Sequence, residues 1–524
     1  MRNTMTLHPI DITIFIAYVL GLIAVAYFVS REKVGHDKNT EDYFLAGNSL
    51  PWWAIGASLI AANISAEQII GMSGSGYVLG LAIASYEWMA AITLIIVGKY
   101  FLPIFMKRKI YTMPQFLQER FDNRVKTTMA IFWLAVYVFV NLTAVLWLGA
   151  LAINTITGLD LALCMILLAV LSLAYSLYGG LKAVAFTDII QVVLLIAGGL
   201  FLSYMSLNLI GEGNGVFAGF DKLTSELPEK FDMILSPESP HYVSLPGLSV
   251  LVGGMWVMNL SYWGFNQYII QRTLAAKDLA EAQKGIAFAA FLKLLMPVIV
   301  VLPGIAAVLL LPELSKPDQA YPELMNLMPV GLKGLIFAAL VAAILSSLAS
   351  MTNSVATIFT MDLYKPIKAG KPQSHFVFVG RLVSIVALII ALITAKPLLG
   401  DFDQAFQYIQ EFTGFFTPGI VVLFLLGMFW KKTTANAALA ATIGSAVFSL
   451  LLKLIIPDVP FMDRVGLVFV SCLLLAIMVT LIQKPSEHKA AVQLDDINFR
   501  TEPSFNMSAL LVTLILIAFY TAWW

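Results

Sequence analysis

Apolar side chains run in long blocks along most of the chain, with short polar stretches between them. A helix of about 20 residues crosses a hydrocarbon core of about 30 Å, so each block reads as one membrane span. Fourteen blocks are legible, at about 10–30, 52–71, 78–106, 127–157, 160–178, 184–211, 247–268, 283–311, 331–361, 376–399, 406–430, 434–456, 465–483 and 506–524. The pattern predicts an all-α polytopic membrane protein with no soluble domain. The first block reads as a span and not as a signal peptide. One basic residue, Arg2, precedes it, it is too long for an h-region, and no A-x-A site follows.

The polar connections set the orientation. With the segment holding Arg31, Lys33 and Lys38 placed in the cytoplasm, 22 of the 32 Lys and Arg residues fall on that side and 8 on the other. That bias predicts both termini outside. The longest outer connection, 212–246, is rich in Gly, Pro and Glu and reads as a solvated connector. The cytoplasmic stretch 484–505 reads as a polar linker before the last span.

Composition agrees with this class. The chain is 59% hydrophobic and 12% charged, where soluble chains carry roughly 25% charge. A formal net charge of zero points to neither a nucleic acid nor an acidic partner, and no obligate protein partner is evident. Cys164 and Cys472 both sit in apolar runs and imply no disulfide framework. All five histidines lie in connections or near the N-terminus. That counts against an intramembrane enzyme, and no nucleophile–base pair is visible.

Polar groups at membrane depth are costly and mark sites or pathways. The ionisable ones are Glu67, Glu87, Asp188, Lys293 and Glu411. With them stand Asn63, Gln68, Asn141, Asn259, Asn266, Gln267, Ser346, Ser347, Asn353, Gln407 and Gln410. Any one amide is equally accounted for by an interhelical hydrogen bond worth about 0.6 kcal/mol. Their concentration in a few spans is not. The second span breaks its apolar pattern at Asn63–Gln68, with Gly71, Gly74 and Gly76 beyond. The seventh does so at Gly253-Gly254 and Asn259, with Tyr262 and Trp263 following. Interrupted helices at corresponding places in two halves point to a transporter's midplane site. Spans two to six and seven to eleven then form two inverted repeats.

Carbonyls freed by a break, joined by Ser346 and Ser347 of the ninth span, suit a monovalent cation, since Ca²⁺ and Mg²⁺ usually recruit carboxylates. Alternatively these serines bond their own helix. Glu87 and Lys293 can neutralise each other across a cavity. No arginine is read at membrane depth, which disfavours an anionic substrate.

The stretches TEDYFLAGNSLPWWAIGASLIAANISAEQIIGMSGSGY, ASYEWMAAITLIIVGKYFLPIF, YSLYGGLKAVAFTDIIQV, YWGFNQYIIQRTLAAK, SSLASMTNS and QAFQYIQEFTG resemble the solute:sodium symporter family, in its sodium/galactose and sodium/glucose branch. The resemblance is dense from about 40 to 435. It implies a LeuT-type five-plus-five inverted-repeat core. The expected divisions are an extra N-terminal helix and linker (1–50), a first repeat (51–211), an outer loop (212–246), a second repeat (247–430) and three C-terminal helices (431–524). It implies a sodium-coupled symporter of galactose or glucose in a plasma membrane, read as a bacterial inner membrane, with sodium as the co-transported ion. Sugar contacts would fall on Gln68, Glu87, Asn259, Lys293 and Gln410, with Asn63 between sugar and ion. Tyr262 and Trp263 would gate the inner side, and Met72, Tyr86 and Phe406 the outer. Carbonyls of Ala61, Ile64 and Ala343 with the hydroxyls of Ser346 and Ser347 would bind sodium, and Asp188 would line its exit. Galactose transporters of this type carry a serine three residues after the glutamate, where this chain has Ala90. That departure bears on which sugar is preferred. The rival readings are a same-fold symporter for myo-inositol, a nucleoside or an amino acid, and a membrane channel or sensor.

Overall fold

The computed structural model describes residues 7–30, 50–110, 112–178, 181–368, 370–400, 404–483 and 491–524. The expected cytoplasmic linker after the first span, with Arg31, Lys33 and Lys38, lies outside these residues. Among the described residues the architecture is helical, with one isolated bridge between Leu50 and Ala276. Helices satisfy every backbone group within themselves, which lipid requires of a spanning segment. Nine are long and apolar enough to cross a membrane, or ten if the pair Ala405–Thr413 and Thr417–Phe429, bent by 45°, is one span.

Burial separates centre from periphery. In Leu332–Ile367 the most apolar window is 83% buried, whereas in Pro503–Ala522 it is 17% buried. The outer helices turn apolar side chains outward, among them Ile389, Ile393, Leu454, Leu481 and Leu514. In water such a surface would aggregate; against acyl chains it is neutral.

The second span is longer than the hydropathy limits and is broken. Helix Trp52–Asn63 stops at Ile64, whose backbone is extended (φ −72°, ψ 91°). A wide π turn, Glu67–Gly71, restarts it and helix Met72–Leu79 completes it. Gly80 then takes φ +74°, a conformation that suits glycine, before Ser85–Ile96 begins the next span. The seventh span is in three pieces, Leu248–Val252, Gly254–Leu260 with the π turn Ser261–Phe265, and Gln267–Leu274. Gly253 is one break, as the glycine pair suggests. The other is Asn266, extended at φ −78° and ψ 123°.

Two connections differ from expectation. The outer stretch 212–246 is docked rather than solvated. It forms helix Val216–Glu226, buries Phe231 and Met233, and donates from Met233 N to the Trp523 carbonyl at 2.8 Å. Lys230 Nζ donates to the Val78 carbonyl at 2.6 Å, a cation on the C-terminal end of Met72–Leu79. Burial lowers the Lys230 pKa. Of the linker 484–505, residues 484–490 lie outside the described residues. Beyond them Ala491 and Val492 are buried, and the Ala491 carbonyl accepts from Arg108 at 3.1 Å. In both cases apolar residues inside a polar stretch find a helix surface to cover, which composition averages away.

Candidate functional site

The two breaks and the helices packed around them line a cavity. Water centres can occupy about 80 Å³ of it, several times the roughly 10–15 Å³ that one water needs. Asn63, Glu67 and Gln68 come from the first broken helix, Tyr86, Glu87 and Ala90 from Ser85–Ile96. Asn259, Tyr262 and Trp263 come from the second broken helix. Lys293 comes from Leu279–Met296, and Phe406 and Gln410 from Ala405–Thr413. Every expected sugar contact lines this cavity, as do four of the five expected gate residues; Met72 is fully buried outside it.

A polar network binds four of these elements together, the two broken helices, Ser85–Ile96 and Leu279–Met296. Lys293, fully buried, places Nζ 2.6 Å from Glu87 Oε2 and also donates to Asn63 Oδ1. Its ammonium lies 4.8 Å from the Trp263 ring centroid, within reach of the ring's negative face. Gln68 Nε2 donates to Glu87 Oε1 at 2.8 Å and to Asn63 Oδ1 at 3.3 Å. Asn63 Nδ2 in turn donates to the Tyr262 hydroxyl at 3.2 Å, and Tyr262 and Tyr268 hydroxyls meet at 2.9 Å. An ammonium or carboxylate buried alone would be strongly disfavoured; this pair is compensated and hydrogen-bonded.

Two aromatic pairs line the cavity. Tyr86 and Phe406 meet edge to face at 5.1 Å, as do Tyr262 and Trp263 at 5.1 Å. Gln68 Oε1, the Tyr86 hydroxyl and the Thr413 hydroxyl are buried without a hydrogen-bond partner among the described residues. Buried polar atoms are rarely left unpaired, so three around one cavity mark it as a place for a polar guest.

The sodium candidates lie where the first break faces the central helix. Trp52–Asn63 packs against Leu332–Thr357, and Ala61, Ile64, Ala343, Ser346 and Ser347 are all buried. Ile64 N still bonds the Ile60 carbonyl and Ile69 N the Ser65 carbonyl, and between these two bonds the helical ladder is interrupted. The Ser347 hydroxyl is buried and has no partner among the described residues. Ser346 Oγ donates to Asp188 Oδ1 at 2.7 Å, so Asp188 touches the candidate set directly. Among the described residues no cluster of three or more His, Cys, Asp or Glu could hold a metal.

One expectation is corrected. Arg272, assigned from sequence to a cytoplasmic connection, is 3% exposed, with its guanidinium 3.4 Å from Asp188 Oδ2 and 3.0 Å from Ser58 Oγ. An arginine therefore is buried against Asp188, the residue expected to line the ion's exit. The extra helix Gln267–Leu274 beyond Asn266 carries it inward, and hydropathy limits do not register that turn. Sequence reading also left Thr413 and Thr417 unnoticed as cavity residues. Thr413 lies three residues beyond Gln410, on the same helical face.

The sequence profile of the sodium:solute symporter family matches residues 43–444. A sodium/glucose cotransporter of Vibrio parahaemolyticus is 53% identical over 98% of both chains. The human sodium/myo-inositol cotransporter 2 is 34% identical, over 85% of this chain and 70% of its own. The solved structure of a Na⁺-coupled sialic acid symporter superposes with a TM-score of 0.77 at 22% identity, over 92% of this chain and 99% of the other. A nucleobase-cation-symport-1 transporter gives 0.53 at 14% identity, over 90% and 99%. These last two likenesses are of fold.

Proposed function

The chain belongs to the sodium:solute symporter family, and we propose that it moves a neutral hexose, glucose or galactose, together with sodium by alternating access. It is a symporter and not an enzyme. The observation that carries the sugar reading is the compensated Asn63–Gln68–Glu87–Lys293 network facing a cavity with unpartnered polar atoms. A polyol supplies donors and acceptors together, and the rings of Tyr262 and Trp263 offer apolar faces to a pyranose. The 53% identical relative is named a sodium/glucose cotransporter, which favours the same substrate class here.

Sodium entering from outside would be held by the carbonyls of Ala61, Ile64 and Ala343 and the hydroxyls of Ser346 and Ser347. Bound there, it pins the break and fixes Asn63 and Gln68 for the sugar. Tyr86, Phe406 and Met72 close the outer side. Departure of sodium past Asp188 releases the break, and Tyr262 backed by Trp263 then opens inward. Gln410 and Asn259 complete the sugar contacts. The architecture we assign is fourteen spans with both termini outside, repeats at 51–211 and 247–430, an N-terminal helix, and three C-terminal helices. The location is a bacterial inner membrane.

Uptake of labelled glucose or galactose into proteoliposomes with sodium outside tests this. Uptake should vanish when potassium replaces sodium; uptake unchanged in potassium overturns the coupling. Relatives at 34% identity are named myo-inositol cotransporters, so myo-inositol belongs in the competitor panel. Inhibition by myo-inositol stronger than by either hexose would reassign the substrate.

A further inference from the structure

A second crevice, of about 590 Å³, shares no residue with the cavity described above. It is walled by helix Thr143–Thr157, the start of Leu161–Tyr178, the end of Gln373–Leu399 and the turn 315–319. Among the described residues no carboxylate lines it. Its open polar groups are donors. Lys396 is exposed, and no ion pair or hydrogen bond engages its ammonium among the described residues. Lys316 Nζ donates to the Gly400 carbonyl at 2.7 Å and lies 5.7 Å from the Trp147 ring centroid. An ammonium has three donors, so that one bond leaves others open. The Trp147 indole N–H, also a donor only, has no acceptor among the described residues. Ser315 Oγ, by contrast, donates to Gln319 Oε1 at 2.6 Å, and the nearby Asp318 carboxylate accepts from Ala405 N at 3.0 Å.

Two ammoniums here exceed what the fold itself needs. The C-terminal end of Gln373–Leu399 carries about half a negative charge, and Lys316 on the Gly400 carbonyl already answers it. Lys396, in the last turn of that helix, is surplus. Phosphate oxygens are acceptors that suit such donors, and their bonds from ammonium groups are charge-assisted. The crevice also lies where one apolar helix begins, at Leu161, and another ends, at Leu399. Both turn apolar side chains outward along their length, Leu163, Ile166 and Val170 on the first and Ile389 and Ile393 on the second. A phosphate held at this level has surface for acyl chains directly beside it. Basic pockets between spans recognise anionic headgroups in this way.

We propose that this crevice binds one anionic phospholipid, with its phosphate held by Lys316, Lys396 and the Trp147 N–H and its acyl chains along the two helices. The test is native mass spectrometry of the purified full chain in detergent, titrated with dioleoyl phosphatidylglycerol. Neither sugar nor sodium takes part, so the outcome is independent of the transport reading. The wild type should retain a first lipid at concentrations where dioleoyl phosphatidylcholine is not retained. Lys396→Gln should weaken that first binding about fivefold, the worth of one basic side chain beside anionic lipid. Adding Lys316→Gln should bring the loss to about tenfold or more. Lys396→Arg keeps the charge and should bind as the wild type does. Lys222→Gln removes an exposed lysine that pairs with Glu212 elsewhere, and should also leave binding unchanged. If the double variant is not monodisperse, the contrast between Lys396→Gln and Lys396→Arg decides. Equal binding by the wild type and Lys396→Gln overturns the proposal, as does equal weakening by Lys222→Gln. Phosphatidylcholine held as tightly as phosphatidylglycerol overturns it too. Glycerol 1-phosphate carries the charge without the chains; if it displaces the lipid at equal concentration, the site takes a soluble phosphate ester and the lipid assignment falls.

Discussion

Lys293 holds three elements at once, through Glu87, Asn63 and the Trp263 ring. Removing either member of the Lys293–Glu87 pair strands the other charge in a buried place, at a cost of about 3–5 kcal/mol. Lys293→Met and Glu87→Gln should therefore each lower the melting temperature in detergent. The double variant should melt above at least one of the singles, and all three should lose hexose uptake. Equal melting for the singles and the wild type would remove the pair from the stability of the site. Ser347 makes a different kind of contribution. Its hydroxyl is buried and unpartnered, so Ser347→Ala leaves no protein donor or acceptor orphaned. The expected outcome is a half-saturating sodium concentration raised about fivefold, the worth of one ordinary hydrogen bond. The KM for hexose at saturating sodium should hardly move. Initial rates of uptake over a sodium series read both quantities, and an unshifted sodium dependence would take Ser347 out of the ion site.

At the scale of elements, helix Ala405–Thr413 acts on both of its faces. One face presents Phe406, Ile409, Gln410 and Thr413 to the cavity. On another, Glu411 Oε1 lies 2.9 Å from Lys453 Nζ and 3.1 Å from Arg464 Nη2, on the helices Ala435–Ile455 and Phe461–Gln483. Its first amide, Ala405 N, is capped by Asp318 Oδ2 at 3.0 Å. This helix, to which we assign the outer gate, is thus clamped to the C-terminal helices. Among the described residues both polar atoms of the Gln407 side chain are buried without partners, a cost that hydration would relieve if the helix moved outward. Glu411→Gln should shift the balance toward open by about 1 kcal/mol, the upper range of a partly exposed ion pair. Labelling of a Gln407→Cys reporter by an impermeant thiol reagent should then quicken about fivefold. Cys164 and Cys472 are both buried and add little background. An unchanged labelling rate would leave Glu411 a surface charge.

For the whole molecule, an ion held at the break, as proposed, would make stability depend on it. A ligand that binds only the folded state stabilises it by about 2.7 kcal/mol at a hundred times its Kd. Sodium should therefore raise the melting temperature above that in equimolar potassium, and Ser347→Ala should need more sodium for the same gain. Identical melting curves in the two salts would argue against an ion site at the break. The N-terminal helix is tied to the same region. Asp11 Oδ1 accepts from Gly331 N at 2.7 Å and Gly334 N at 2.9 Å, capping the helix that carries Ser346 and Ser347. A carboxylate at a helix N-terminus is favourable to the dipole as well as to the open amides.

Membrane class, helical content and the polar residues worth attention were all legible in the chain, because the cost of polar groups in lipid is local and additive enough to be seen in hydropathy. Asn63, Gln68, Glu87, Lys293 and Gln410 stand out in apolar runs for that reason, and the family's motifs assign them together. What only the tertiary structure decided is how those groups satisfy one another. Asn266 breaks the seventh span without glycine or proline. Arg272 comes to Asp188 from a segment that reads as a loop, and 212–246 is folded against the helices although its composition reads as solvated. Hydrogen-bond partners and burial depend on residues hundreds of positions apart, and no local pattern carries that information. Glu67 shows the division most plainly. Its cost is visible in the sequence, but that Glu87 and Lys293 are occupied with each other, while no described residue bonds its carboxylate, emerges only in the structure.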